Sequence, residues 1–61
     1  MDYKTMEQNI FADGFIIEFE YINNLGVKIR CGKTIAGKEY RMIYTRNKNN
    51  VFVIHSIKEV E

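Results

Sequence analysis

From Phe15 onward the chain repeats with a period of two, the spacing that sends alternate side chains to opposite faces of a strand. In "FIIEFEYI", Phe15, Ile17, Phe19 and Tyr21 alternate with Ile16, Glu18, Glu20 and Ile22. In "VKIRC", Val27, Ile29 and Cys31 alternate with Lys28 and Arg30. The "NNLG" between them supplies residues that tolerate left-handed backbone, so the two runs are expected to form a hairpin. Charge favours a register in which Tyr21 faces Val27, Glu20 faces Lys28, Phe19 faces Ile29 and Glu18 faces Arg30. Each opposite-charge pair across the strands adds roughly 0.2–1 kcal/mol to what burial supplies.

A second hairpin is expected in "YRMIYTRNKNNVFVIHSI", with Lys48-Asn49 at its tip. That tip sets Tyr40, Met42, Tyr44 and Arg46 against Ile57, His55, Val53 and Val51, the better candidate for the core face. It sets Arg41, Ile43 and Thr45 against Ser56, Ile54 and Phe52. The hairpin is then apolar on both faces, whereas a strand pair with one wet face alternates more cleanly. A cover for the second face is therefore expected: the curl of a small barrel, the N-terminal segment, or another molecule. "GKTIAGKEY" joins the hairpins as a loop, with Ile35 tucked inward as its anchor.

Residues 3–12 allow two readings. Thr5-x-x-Gln8 reads as a capping box opening a short helix, with Met6 and Ile10 on one face and Asp13-Gly14 as the stop. Alternatively, Asp13-Gly14 is a hairpin turn and "NIFA" a further strand. That pairing brings Glu7 opposite Glu20, which favours the helix. The expected fold is mainly β: a small antiparallel curled sheet or barrel of four to five strands, with room for one short N-terminal helix.

Composition narrows this picture. A chain of 61 residues is expected to form one small domain, and one that buries only about 60% of the surface its unfolded form exposes. Such scaffolds usually lean on disulfides, a metal or self-association. Cys31 is the only cysteine and His55 the only histidine, so neither an internal disulfide nor a Cys/His zinc cage is expected. Nine basic residues nearly cancel eight acidic ones, without the excess of a dedicated nucleic-acid binder. The opening "MDYKTMEQ" lacks the apolar stretch of a signal peptide, and no run approaches the ~20 residues of a membrane span. With its lone thiol, the chain reads as cytoplasmic and without a membrane partner. Abundant Ile, Asn, Lys and Tyr have AT-rich codons, which suits a low-GC bacterium or its phage.

Candidate chemistry is sparse. "GKT" at Gly32–Thr34 would need a glycine at position 27 to make a phosphate-binding loop, and position 27 is Val. A Cys31–His55 pair lacks an orienting third member, and Cys31 alternates with Val27 and Ile29 as a small buried hydrophobe would. Glu18 and Glu20 read as an ion-pair ladder with Lys28 and Arg30. No catalytic residue, metal site or cofactor is expected, and the chain reads as non-enzymatic. Lys33, Lys38, Arg46 and Lys48, interleaved with Tyr40 and Tyr44, form the candidate set for a small nucleic-acid-binding barrel. Arg41, Ile43, Phe52 and Ile54 form the candidate set for protein binding, an apolar strip with a polar rim. The second set carries the preferred expectation: a small binding protein acting stoichiometrically on a protein partner, with a second copy of itself among the candidates. A phage- or mobile-element-encoded inhibitor of a host protein would fit that description.

Overall fold

The computed structural model describes residues 2–60 as helix α1 (Tyr3–Ala12) followed by strands β1 (Ile16–Ile22), β2 (Lys28–Lys33), β3 (Glu39–Arg46) and β4 (Phe52–Val60). The strands form one antiparallel meander in the order β1-β2-β3-β4, open at β1 and β4 and not closed into a barrel. The mainly β expectation holds, in its version with a helix.

The helix starts one turn before the expected cap. Asp2 is the N-cap: its carboxylate accepts from the Thr5 N–H at 2.8 Å, and its carbonyl accepts from Met6 N–H at 3.1 Å. The hydrogen bond from the Thr5 N–H holds the Asp2 carboxyl below its ordinary range. The stop is where the sequence placed it. Asp13 N–H closes onto Asn9 and Ile10, and Gly14 turns the chain with φ of 82°.

All three hairpins use one five-residue turn, and this corrects the expected registers. In Asn23–Val27, Thr34–Lys38 and Asn47–Val51 the first N–H donates to the fifth carbonyl, at 2.9–3.0 Å. The fourth N–H donates back to the first carbonyl, again at 2.9–3.0 Å. The fourth residue is left-handed each time: Gly26, Gly37 and Asn50. The first side chain, Asn23 Oδ1, Thr34 Oγ1 or Asn47 Oδ1, accepts from the fifth N–H at 3.1–3.2 Å. Thr34 of "GKT" is thus buried as the hinge of a turn.

The first turn pairs Ile22 with Lys28, Tyr21 with Ile29, Glu20 with Arg30 and Phe19 with Cys31. This lies two residues from the expected register, so the faces there are kept but the partners change. The last turn pairs Arg46 with Phe52, Thr45 with Val53 and Tyr44 with Ile54. This is one residue from expectation, and a one-residue slip exchanges the faces of a strand. Phe52 and Ile54 therefore lie on the face of Tyr44, not on that of Ile43.

Both edge strands carry a bulge, at Glu18 in β1 and at His55 in β4. Their cause is the core. Continued without a bulge, β4 would set Ser56 and Lys58 against Met42 and Tyr40; with it, Ile57 opposes Met42. In β1 the bulge returns Ile17 and Phe15 to the helix side, where Phe15 is buried. Gly32 makes this crossing feasible: a Cβ there would lie 2.1 Å from the Ile16 carbonyl oxygen and 2.9 Å from the Phe15 ring. Ile10, Phe15, Met42 and Tyr44 form the core, with Tyr40, Phe52, Ile54 and Ile57 packed around it and Met42 fully enclosed. The rings of Phe11, Phe15 and Tyr40 extend it edge-to-face, with centroids 5.2 and 6.4 Å apart.

Candidate interaction surface

Opposed residues of an antiparallel ladder share a face. The helix side is therefore Tyr40, Met42, Tyr44 and Arg46 of β3, Lys28, Arg30 and Gly32 of β2, Ile17, Glu20 and Ile22 of β1, and Phe52, Ile54 and Ile57 of β4. The other side bears Ile16, Phe19 and Tyr21; Ile29, Cys31 and Lys33; Arg41, Ile43 and Thr45; and Val53, Ser56 and Lys58. No helix of the described chain lies on that side.

The helix side is finished by a polar chain where α1 leaves β1 and β2 uncovered. Tyr44 donates its phenol proton to Glu7 of α1 and accepts from Arg30 at 3.2 Å. Arg30 stacks over the Tyr44 ring at 4.9 Å and donates to Glu20 at 2.9 Å, and Glu20 also meets Lys28 at 3.8 Å. Burial, and then the hydrogen bond to Glu7, hold the Tyr44 phenol above the ordinary tyrosine range, while Arg30 opposes them. The Arg30 hydrogen bond holds Glu20 below the usual carboxylate range. A phenol kept protonated between two partners is a tie between helix and sheet.

The open side differs in kind. Its centre is apolar and solvent-facing, with Phe19 56% and Tyr21 50% exposed and their rings stacked at 6.3 Å. Ile29, Cys31 and Ile43 sit half-buried beside them and Val53 is exposed beyond. One corner is cationic: Arg41 and Lys58 face each other on β3 and β4, and Lys33 forms an ion pair with Glu39 at 4.0 Å. An apolar centre with a charged margin is the anatomy of a binding surface.

The candidate residues are redistributed accordingly. Arg41 and Ile43 lie on the open side. Phe52 and Ile54 are packed beneath the helix, with Arg46 4.6 Å over the Phe52 ring. The basic set is divided: Lys33 and Lys38 stand at one end of the sheet, and Arg46 and Lys48 at the other, roughly 25 Å away at ~3.3 Å per residue. Tyr40 and Tyr44 belong to the core side, as expected. His55 does not: it is the bulged residue of β4 and is exposed. Cys31 on β2 and His55 on β4 are separated by β3, about 9–10 Å of strand spacing, beyond hydrogen-bond reach. Ile35, expected to tuck inward, is 84% exposed, although its side chain lies over Gly14. Among the described residues no group of three His, Cys, Asp or Glu is placed to hold a metal ion, and no helix is long and apolar enough to cross a membrane.

Phe19, Tyr21 and Ile29 are surface residues that neither candidate set contains. Bulges leave no mark in the alternation, so the exchange of faces in β1 was hidden. Comparison with family models, curated protein sequences and solved structures found no match, and the geometry alone carries the functional reading.

Proposed function

We propose that this chain is a small non-enzymatic binding protein that acts stoichiometrically by docking a protein on the open side of its sheet. The observation that carries the reading is the stacked Phe19–Tyr21 pair, half-exposed beside Ile29 and Ile43 on a face that α1 does not cover. Exposed aromatic side chains over a flat apolar surface gain most when a partner removes them from water, and they dominate binding energy when buried centrally. The division of the basic residues between two ends of the sheet favours a protein over a nucleic-acid strand, which needs a continuous cationic track.

The test uses the immobilised chain and an extract of its native cell. A specific partner should be retained by the wild type and by Ile22→Glu, an exposed change on the helix side. It should be lost with Phe19→Glu. Retention by Phe19→Glu would refute the face. Retention of single-stranded oligonucleotide at low salt, with a steep salt dependence, would replace this reading with the nucleic-acid one.

A further inference from the structure

We infer that a second copy of this chain is the protein that covers the open face, in a two-fold, face-to-face sandwich of the two sheets. The inference deepens the proposed function by naming the occupant of the same surface, and it rests on that reading.

Three observations point to a second copy. The first is the size of the core. Ile10, Phe15, Met42 and Tyr44 are the buried apolar side chains of the described residues, and all belong to the helix side of the sheet. The opposite side holds a comparable apolar set, Phe19, Tyr21, Ile29, Ile43 and Val53, without a layer over it. Domains of this length often complete their burial by self-association.

The second is area. Four strands at ~4.8 Å spacing, about six residues deep at ~3.3 Å, make a face of roughly 20 × 20 Å. With side-chain relief, that is about 500–600 Å² per copy, so two copies reach the ~1,000 Å² that a specific interface requires.

The third is complementarity. A two-fold axis running along the strands lays β4 of one copy over β1 of the other, and β3 over β2. Lys58 then comes over the Phe19–Tyr21 rings of its twin, and Arg41 over the Cys31 region, instead of cation meeting cation. A cation over an aromatic face is favourable, the more so once water is excluded. Pairing through the β1 edge is the poorer alternative for a second copy: the centred antiparallel registers of β1 against itself set Glu18 or Glu20 against a glutamate of the twin. The bulge at Glu18 also bends that edge away from a flat pairing.

Sedimentation equilibrium of the full chain across a range of concentrations tests this. The wild type and Ile22→Glu should sediment at twice the 7.2 kDa chain mass in the tens-of-micromolar range. Phe19→Lys removes the central aromatic anchor and sets a second cation under the twin's Lys58, and it should raise the dimer dissociation constant by roughly 30-fold or more. Phe19 is exposed in the single chain, so the variant keeps its fold, and circular dichroism checks this. Ile43→Asp should act in the same direction. A wild type that stays at the monomer mass up to about 1 mM overturns the dimer; the docking face is then judged separately, by whether the extract's partner is lost with Phe19→Glu. A dimer that persists unchanged in Phe19→Lys and Ile43→Asp is held by another surface and overturns the sandwich, while the docking face is again judged by the extract.

Discussion

Tyr44 is where the helix and the sheet are tied. Its ring fills the core while its hydroxyl joins Glu7 to Arg30. Tyr44→Phe keeps the ring and leaves both partners without it, a change expected to cost about 1–2 kcal/mol in urea unfolding. The tie also has a pH signature. The folded state holds the Tyr44 proton more tightly than the unfolded chain does. Its contribution is thus full below the ordinary tyrosine pKa of about 10 and is lost as pH rises from there toward the folded value. Alkaline unfolding should therefore lose part of its pH dependence in Tyr44→Phe. Glu20 and Asp2 have the opposite sign, since their folded pKa values are lowered. Their contributions are present above the ordinary carboxylate range near 4 and vanish as pH falls through the folded values. Melting temperature followed down to about pH 2 should fall less steeply in Glu20→Gln than in the wild type. These ties were half-legible in the sequence. An acid–base ladder between β1 and β2 was readable from alternation. That Glu20 serves both Lys28 and Arg30 depends on a register set by the turn.

At the scale of elements, one turn used three times organises the molecule. Asn23, Thr34 and Asn47 close it with a side-chain oxygen, and Gly26, Gly37 and Asn50 supply the left-handed residue. Asn47→Ala removes the acceptor for the N–H groups of Asn49 and Val51. It should cost about 1–2 kcal/mol of unfolding free energy, measured by chemical denaturation. Asn50→Ala should cost about 1 kcal/mol, because a Cβ-bearing residue without a local acceptor is strained at φ of 63°. Asn50→Gly should leave stability unchanged or raise it. This pattern, Asn or Thr followed three residues later by Gly or Asn, stood in the sequence and would have fixed the register of the last hairpin. The two bulges stood nowhere in it. They arise because the core needs Phe15 and Ile57 on the helix side, a demand of tertiary packing that alternation within one strand does not record. Strand existence, the helix stop and the core placement of Met42 and Tyr44 were readable because each depends on local spacing. The surface was not, because it depends on the parity of strands that shift mid-way.

The whole molecule is a two-layer structure, with a helix on one side of a four-stranded sheet and no described layer on the other. The proposed function requires the open side to be covered when the protein is at work. Cys31 lies half-buried near the middle of that side, opposite Phe19 and Arg41, and it is the chain's only thiol. Its rate of alkylation by a small neutral reagent therefore reports the cover directly. The rate should fall at least several-fold as the wild-type protein is concentrated, and Phe19→Lys should abolish the fall while Ile22→Glu preserves it. A rate independent of concentration, the same in the wild type and Phe19→Lys, would overturn cover of the sheet by a second copy.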